Sequence, residues 1–274
     1  MNPTIDLHIH TTYSDGLSTP SEILEIVREK KLSAFAICDH DNFGALQEFE
    51  KLLKPDDPEL ISGIELSAGQ GGEDIHILGY MYNRQSQYFA DTVEQFRNNR
   101  NHRGALMLKE LEKLGIDIPM EMVREIAGDS AIGRPHIADA LVRVGAVKKF
   151  SEAFDRLIGY DGPAYVPKKN LTPKEAIELI HKADGLAFLA HPGICDVARY
   201  IGEFKEYGLD GIEIYHPAHN RSIKKSLKKL AQKESLMISG GSDFHGREGH
   251  HEMIGSQSVP AELLDLIKQK MNLK

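Results

Sequence analysis

Two histidines separated by one residue, His8 and His10, lie in a β-rich segment near the start of the sequence. In a β-strand, side chains two positions apart point to the same face, so both imidazoles would project together. Neutral imidazoles are ligands of zinc and of other first-row divalent metals. Two core histidines with satisfied hydrogen bonds would explain the pair equally well, so the pair alone does not distinguish metal ligands from core residues.

Further His, Asp and Glu side chains recur where the predicted strands end. Asp15 lies in a turn beyond the first strand, and His40 lies between two aspartates at the end of the second. The carboxyl ends of the strands of an α/β barrel share one rim, and active sites form there. Each residue alone is also typical of turns, caps or cores, but their shared position predicts a metal site. The nine candidate ligands are His8, His10, Asp15, His40, Glu65, His76, His191, Asp243 and His245.

This set of candidate ligands is larger than a single ion needs, because one ion takes about four. Two or three divalent ions that share a bridging carboxylate would use the whole set. Glu65 is the natural bridge, since it is a lone carboxylate among imidazoles. Mixed imidazole and carboxylate ligation without cysteine favours manganese, iron or zinc over calcium or magnesium. We expect manganese, with iron or zinc as the alternatives.

Short β-rich runs alternate with helical patterns along most of the chain, which is typical of an α/β protein with a parallel sheet or barrel. Residues 84–166 break this alternation with helical patterns alone, and we interpret them as an inserted helical subdomain that covers the active-site mouth. The barrel domain would then comprise residues 1–83 and 167–274. The predicted strands are 4–10, 34–40, 60–66, 75–81, 186–191, 211–215 and 236–240. The predicted helices are 20–31, 44–54, 90–114, 119–127, 134–145, 150–159, 172–184, 197–207, 220–234 and 260–272.

The composition limits the classes of partner and the cellular setting. The 274 residues carry a formal net charge of −8, which argues against non-specific binding of long nucleic acid but permits a small phosphorylated ligand. The sequence predicts no membrane span and no signal peptide, and it indicates no obligate protein partner. The cysteines are Cys38 and Cys195, which we expect to be buried thiols in a protein of the reducing cytoplasm.

The order and spacing of these residues resemble the motif series of the PHP (polymerase and histidinol phosphatase) superfamily. The resemblance covers the whole chain outside the predicted insertion. It implies a distorted (β/α)7 barrel, similar to a TIM barrel, with a site for three metal ions. The motifs are His8-x-His10 with Asp15, Asp39-His40, Gly63-Ile64-Glu65, His76, His191-Pro192 and Asp243-x-His245.

Carried over residue by residue, the resemblance gives each ion its own ligands. One ion would be held by His8, His10, Glu65 and Asp243, a second by Glu65, His76 and His191, and a third by Asp15, His40 and His245. Asp39 points to the strand face opposite His40, so we expect it to support the site without binding metal.

Within this superfamily the chain resembles the stand-alone TrpH/YciV-like phosphoesterases, which carry a helical insertion. The subgroup includes nucleoside 3′,5′-bisphosphate phosphatases and 5′→3′ exoribonucleases that act on short RNA. The resemblance implies a metal-dependent phosphoesterase acting on a small phosphorylated nucleotide or short oligonucleotide, typically at the 3′-phosphate of a nucleoside 3′,5′-bisphosphate. The matching motifs are Gly133-Arg134-Pro135-His136, Ala164-Tyr165-Val166-Pro167-Lys168 and Tyr215-His216-Pro217-x-His219.

The expected reaction is in-line attack of metal-bound hydroxide on the phosphate, without a covalent protein intermediate. Arg134 and Lys168 are candidates for binding a second phosphate of the substrate. Arg134 could instead pair with a nearby glutamate, and Lys168 could be solvated. His136, His216 and His219 are candidate proton donors to the leaving oxygen, and His136 and His219 could also bind substrate. Packing or surface roles explain these three histidines equally well.

Two other functions remain open on the sequence. A histidinol-phosphate phosphatase would use the same metal site, although an insertion that carries Arg134 fits a doubly anionic ligand better. A non-catalytic, metal-stabilised module is the second alternative, but such a module would be expected to lose ligands. Amidohydrolase chemistry is less consistent with the sequence, because no lysine that could be carbamylated ends a predicted strand.

Two basic runs could guide an oligonucleotide. Arg97, Arg100 and Arg103 recur every three residues on a predicted helix. Charges on exposed helices are usually solvated, and we favour that interpretation. The same interpretation applies to Lys224, Lys225, Lys228 and Lys229.

Overall fold

The computed structural model describes residues 4–167, 171–194, 197–247 and 253–273. The strands are β1 (Thr4–Ile9), β2 (Ala34–Ile37), β3 (Glu59–Gln70), β4 (Glu73–Tyr80), β5 (Leu186–Leu189), β6 (Gly211–Tyr215), β7 (Met237–Gly240) and β8 (Val259–Pro260). The helices are α1 (Pro20–Glu29), α2 (Ala45–Leu52), α3 (Gln87–Lys113), α4 (Met120–Ala127), α5 (Arg134–Arg143), α6 (Phe150–Ala153), α7 (Pro173–Lys182), α8 (Ile201–Glu206), α9 (Arg221–Glu234) and α10 (Glu262–Met271). A π-helical turn, Phe154–Ile158, follows α6, and a 3-10 turn, Val197–Tyr200, precedes α8.

Within the described residues the strands form one eight-stranded sheet in the order β7-β6-β5-β4-β3-β2-β1-β8. β1, β2 and β3 run parallel, as do β5, β6 and β7. After β7 the chain returns to β1, where the amide of Asp243 donates to the carbonyl of His8 at 2.9 Å. The amide of His10 likewise donates to the carbonyl of Phe244 at 3.0 Å. The sheet therefore nearly closes on itself, which confirms the predicted α/β barrel.

The fourth strand departs from the predicted parallel order. β4 is antiparallel to both of its neighbours, and it forms a hairpin with β3. Gly71 and Gly72 make the two-residue turn with φ values of +61° and +87°, which glycine adopts without steric cost. The expectation of parallel strands is therefore wrong for β4. Because β4 runs in the opposite direction, its first half lies at the rim formed by the carboxyl ends of the parallel strands. His76 lies in this half of β4 and so reaches the rim.

Two apolar clusters lie on opposite faces of the sheet. The outer cluster includes Phe35 and Leu189 and packs beneath the surrounding helices. The inner cluster includes Leu78 and Phe188. Leu264 of α10 joins the inner cluster, near the point where β8 pairs antiparallel with the start of β1. The sequence predicted α10 but not β8, because a two-residue strand leaves no periodic pattern.

The helices α3 to α6 and the turn Phe154–Ile158, together called the helical block, have an apolar core of their own. This core includes Leu111, Val123 and Leu141. α3 joins the block to the barrel, because its first turns bury Phe89 and Val93 in the outer cluster. The predicted division of the chain at residues 84 and 166 stays a prediction. Among the described helices, none is long and apolar enough to cross a membrane.

Candidate metal centre

The nine candidate ligands lie in the strands or in the loops that follow them, and the barrel brings them to one end. Each position follows from strand geometry, because side chains at alternate positions share a face and strand ends share a rim. His8, Glu65 and His76 lie in β1, β3 and β4, whereas His10, Asp15, His40, His191, Asp243 and His245 lie in loops at strand ends.

Glu65 lies at the centre of the cluster and is buried. Its two oxygens face five imidazoles, a geometry in which one carboxylate can bridge neighbouring ions. The Oε2 atom lies 3.1 Å from His40 Nδ1, 3.2 Å from His10 Nε2 and 3.4 Å from His8 Nε2. The Oε1 atom lies 2.9 Å from His76 Nδ1 and 3.1 Å from His191 Nε2.

The two aspartates lie on either side of His10. Asp243 Oδ1 is 3.2 Å from His10 Nε2 and 3.4 Å from His8 Nε2. Asp15 Oδ1 is 3.3 Å from His245 Nε2 and 3.8 Å from His10 Nδ1. The imidazoles of His10 and His245 stack with ring centres 4.1 Å apart. The cluster is therefore continuous from Glu65 through His10 to Asp15.

Ligand atoms that lie within 4.8 Å of one another form three overlapping groups, each of which could hold an ion. The groups are His10, Asp15, His40 and His245; His8, His10 and Asp243; and His40, Glu65 and His76. They overlap the three sets implied by the resemblance, but His40 faces both Asp15 and Glu65. Because a neutral imidazole has one lone-pair nitrogen, His40 can bind metal in only one group. The division of ligands among ions thus stays a proposal.

The cluster has the chemistry of a metal site. In the described part of the chain, the buried atoms Asp15 Oδ1 and His40 Nδ1 make no hydrogen bond of good geometry, although His245 Nε2 and Glu65 Oε2 lie within 3.3 Å of them. The Nε2 atoms of His8 and His10 lie 3.1 Å apart, so two ring nitrogens converge on one region. Buried polar atoms are normally hydrogen-bonded, because desolvation without a partner costs free energy. A divalent cation would satisfy these converging lone pairs, so the residues fit metal.

Burial and the neighbouring imidazoles act in opposite directions on the carboxylates. Burial alone would raise the pKa of Glu65, but His40 and His76 outweigh it and hold that pKa well below its ordinary value. The same balance lowers the pKa values of Asp15 and Asp243. Burial lowers the pKa of His40 to about 3. These shifts favour ionised carboxylates, the form that binds metal. At His10 burial is outweighed by the bonds to Asp243 and Glu65, which raise its pKa to about 10, so metal binding there would displace a proton.

Asp39 supports the loop that carries Asp15. Its Oδ1 accepts from the Thr11 amide at 2.8 Å and from the Ser14 hydroxyl at 2.5 Å, and its Oδ2 accepts from the Thr11 hydroxyl at 2.7 Å. Asp39 is fully buried and its carboxylate is engaged by these three donors. This geometry agrees with the supporting role expected from the sequence.

Comparison with known proteins assigns the chain to a family. A sequence profile of the PHP domain matches residues 6–254. The chain belongs to the PHP domain family. This PHP domain is 32% identical over 250 residues to a 5′-3′ exoribonuclease of Haemophilus influenzae, covering 89% of this chain and 91% of the relative. It is 30% identical over 263 residues to a 3′,5′-nucleoside bisphosphate phosphatase of Chromobacterium violaceum, covering 93% of this chain and 92% of the relative.

A solved structure supports the same assignment. A Bifidobacterium adolescentis protein assigned as a metal-dependent phosphoesterase matches this PHP domain with a TM-score of 0.87 at 26% identity. The match covers 98% of this chain and 96% of the other, so it includes the helical block. This PHP domain is a metal-dependent phosphoesterase, and the alternative of a non-catalytic module is wrong.

Of the three candidate proton donors, His216 reaches the metal cluster of the PHP domain. Its Nε2 lies 3.2 Å from Asp243 Oδ2. Its Nδ1 accepts from the amide of Ala218 at 3.1 Å, which places the ring proton on Nε2. His216 therefore holds a proton at the edge of the cluster.

His219 and His136 use both ring nitrogens in hydrogen bonds to the backbone. His219 Nε2 accepts from the Gly193 amide at 2.9 Å, and its Nδ1 donates to the Ile214 carbonyl at 2.9 Å. His136 Nδ1 accepts from the Gly133 amide and its Nε2 donates to the carbonyl of Ser14, each at 3.0 Å. With both nitrogens engaged, the packing role that the sequence left open is favoured for each.

Arg134 lines a cavity of about 410 Å³ that also contains His76 and His191. Its Nη2 lies 3.1 Å from Asp74 Oδ2, and its guanidinium carbon lies 4.8 Å from the ring centre of Tyr160. Arg134 thus pairs with an acid and still lines a cavity with two candidate ligands. The other candidate for a second phosphate, Lys168, lies outside the described residues, as does Cys195.

Two arginines of α3 are not solvated. Arg100 Nε donates to Asp41 Oδ2 and Arg100 Nη2 donates to Ser67 Oγ, each at 2.6 Å. Arg103 is buried, and its Nε donates to the carbonyl of Val166 at 2.6 Å. The expectation that the arginines of this basic run are solvated is therefore wrong for Arg100 and Arg103. Helical periodicity could not show that this face of α3 packs along the barrel.

Glu213 is a supporting residue that the sequence pattern did not reveal. It is fully buried in β6, where Oε1 accepts from His8 Nδ1 at 3.0 Å. Its Oε2 accepts from the amide of His191 at 2.8 Å. The available signal was a carboxylate inside the otherwise apolar strand Gly211–Tyr215, because charged residues are seldom fully buried without a partner.

Proposed function

We propose that this PHP domain hydrolyses the 3′-phosphate of nucleoside 3′,5′-bisphosphates, with manganese ions held by the nine cluster residues. The same site would remove nucleotides from the 5′ end of short RNA. The observation that carries the proposal is the cavity of about 410 Å³ that His76, His191 and Arg134 line together. A ligand in it could place one phosphate at the metal cluster and another near Arg134.

The walls of this cavity suit a nucleoside. Ile75, Ile194 and Val197 line it, together with the half-exposed ring of Tyr160. Small-molecule sites are mostly apolar with a few polar groups that fix orientation, and a ribose and base need such a surface. An anion at Arg134 would compete with Asp74 for the guanidinium, which binds phosphate through two parallel N–H groups.

When bound, the metal ions supply positive charge that activates water and offsets the charge of the phosphoryl oxygens. The side chains around the ions would hold them and keep one another in position. Glu65 connects the imidazoles on both sides of the cluster, and Glu213 fixes the ring of His8. His216 holds a proton on Nε2 beside Asp243, so we propose it as the donor to the leaving oxygen.

The names of two relatives support both parts of the proposal. One is a 5′-3′ exoribonuclease and the other a 3′,5′-nucleoside bisphosphate phosphatase. Each is about one-third identical to this chain over nearly its full length. Both names describe cleavage of a phosphoester bond in a nucleotide or RNA, and one site that accepts a terminal phosphate could serve both.

A substrate panel tests the proposal. Phosphate or nucleotide release is measured with Mn²⁺ on nucleoside 3′,5′-bisphosphates, nucleoside 5′-monophosphates, histidinol phosphate and short 5′-phosphorylated RNA. We expect the highest kcat/KM on a bisphosphate and stepwise shortening of the RNA. The Glu65→Gln variant, prepared in parallel, is the control for contaminating phosphatases. Preference for histidinol phosphate, or no turnover of either nucleotide class, would contradict the proposal.

A further inference from the structure

We propose that the helical block positions one set of metal ligands, Asp15, His40 and His245, and thereby sets the affinity of the ion they hold. This inference rests on the metal-dependent function proposed above. Within the described residues, three contacts from the block end on residues one or two positions from these ligands. His8, His191 and Asp243 have supports in the barrel itself.

The first contact fixes the residue that follows His40. Arg100 of α3 donates to Asp41 Oδ2 at 2.6 Å, and Asp41 Oδ1 accepts from the amide of Ser67 at 2.9 Å. Asp41 is buried and has a φ of +47°, in the left-handed region that non-glycine residues seldom adopt. Such a backbone persists only where surrounding contacts determine it. The ion pair with Arg100 therefore helps to fix the backbone at His40.

The second contact fixes the residue before Asp15. His136 of α5 is buried, and its Nε2 donates to the carbonyl of Ser14 at 3.0 Å. The capping interaction of His136 with Gly133 ties this ring to the start of α5. A shift of α5 would therefore move the loop that carries Asp15.

The third contact joins the loops of Asp15 and His245 to the block. Arg247 lies two residues after His245, and its guanidinium pairs with both carboxylate oxygens of Asp139 in α5 at 3.1 and 2.9 Å. The same guanidinium lies 3.4 Å from the carbonyl of Asp15. It also lies over the ring of Phe150 in α6, with 4.4 Å to the ring centre.

Ligands on the other side of the cluster have barrel supports. Glu213 of β6 binds the ring of His8 and the amide of His191. The amide of Asp243 is bonded to the carbonyl of His8, and its carboxylate faces His216. These supports do not involve the helical block. The block also reaches Asp74, two residues before His76, through Arg134, and Ser67, two residues after Glu65, through Arg100. Asp15, His40 and His245 form the group in which every ligand has a block contact one or two positions away.

The two kinds of support predict two classes of metal affinity. Loss of a block contact should weaken the ion held by Asp15, His40 and His245 and leave the ions near Glu213 in place. Changing a residue that orients a ligand typically costs about 10- to 100-fold in metal affinity. The block residues Arg100 and Asp139 act on the ligands through Asp41 and Arg247, and we treat them as positioning residues.

Manganese binding to the full chain tests this inference. The parent and the variants Arg100→Gln and Asp139→Asn are titrated with Mn²⁺ by calorimetry, and bound manganese per chain is measured after gel filtration. Arg143→Gln is the matched control, because Arg143 pairs with Glu125 inside the block. Thermal unfolding in EDTA checks that each metal-free variant is folded. The use of two independent contacts keeps the test valid if one variant does not fold.

We expect Arg100→Gln and Asp139→Asn to lose about one ion per chain, or to bind one ion about 10- to 100-fold more weakly, with the other ions unchanged. Arg143→Gln should match the parent. Unchanged binding in both block variants, or equal weakening of every ion, would overturn the inference while leaving the proposed function intact. A parent chain that binds no Mn²⁺ would overturn the proposed function itself.

Discussion

The carboxylate of Glu213 and the imidazole of His8 share a hydrogen bond of 3.0 Å between Oε1 and Nδ1, and both side chains are fully buried. This bond leaves His8 Nε2 pointing at Glu65 and Asp243. In metal sites, a carboxylate behind an imidazole fixes the ring and raises its basicity as a ligand. Glu213 thus determines which nitrogen of His8 faces the cluster.

Replacing Glu213 with Gln should weaken metal binding by about 10- to 100-fold, because an amide cannot supply the same charge behind His8. The Mn²⁺ concentration that gives half-maximal activity should rise, and excess Mn²⁺ should restore most of the activity. Glu178→Gln, which changes an exposed residue on α7, is the matched control. If the Mn²⁺ dependence of Glu213→Gln equals that of the parent, Glu213 does not support a metal ligand.

Replacing Arg134 with Ala should impair bisphosphates selectively. A hydrogen bond to a charged group contributes about 1.5–3 kcal/mol, so kcat/KM for a nucleoside 3′,5′-bisphosphate should fall about 10- to 150-fold. The value for a nucleoside 3′-monophosphate, which lacks the second phosphate, should change little. Arg143→Ala serves as the control on the same helix. Equal losses on both substrates would show that Arg134 supports the fold and does not bind the second phosphate.

Removal of metal should destabilise the protein as well as inactivate it. An ion present at one hundred times its dissociation constant stabilises the folded state by about 2.7 kcal/mol. For a domain of this size each kcal/mol corresponds to about 2–4 °C, so EDTA should lower Tm by about 5–10 °C per tightly bound ion. Mn²⁺ should restore the parent but have a smaller effect on Glu65→Gln. A Tm that does not respond to EDTA would argue against bound metal.

Protonation of His136 should make folding less favourable at acidic pH. Burial lowers the pKa of His136 below its ordinary value of 6.5, so the folded protein keeps the ring neutral. The unfolded chain binds a proton more readily, and stability is therefore lost as pH falls below about 6.5.

The variant His136→Gln separates this effect from that of the other histidines. Glutamine can occupy the same third position of a helical capping motif but does not titrate. Between pH 7.5 and 5.5, in EDTA, Tm should fall more steeply for the parent than for the variant. Parallel curves would show that His136 does not contribute to the pH dependence.

Most of the candidate ligands could be found from the sequence because they follow a local rule, whereas His76 reaches the rim because β4 is antiparallel. His8 and His10 are two apart in a β-rich segment, and the acidic and histidine residues of the other strands lie at predicted strand ends. The helix starts at Thr19 and Thr172 have capping boxes, each formed by a threonine and a glutamate three residues later. Side-chain alternation, strand ends and caps involve residues only a few positions apart, so the sequence pattern is sufficient.

Local sequence rules do not give the antiparallel direction of β4, the partner of Glu213 or the burial of Arg100. Glu213 is 205 positions from His8, and Arg100 is 59 positions from Asp41. A buried carboxylate in a strand and an arginine on a helix each have many possible partners, and only the packed chain selects one. The sequence by itself determined which residue types gather at the barrel rim. The tertiary structure decided which groups hold them there, because the contacts depend on how the barrel closes and how the helical block packs against it.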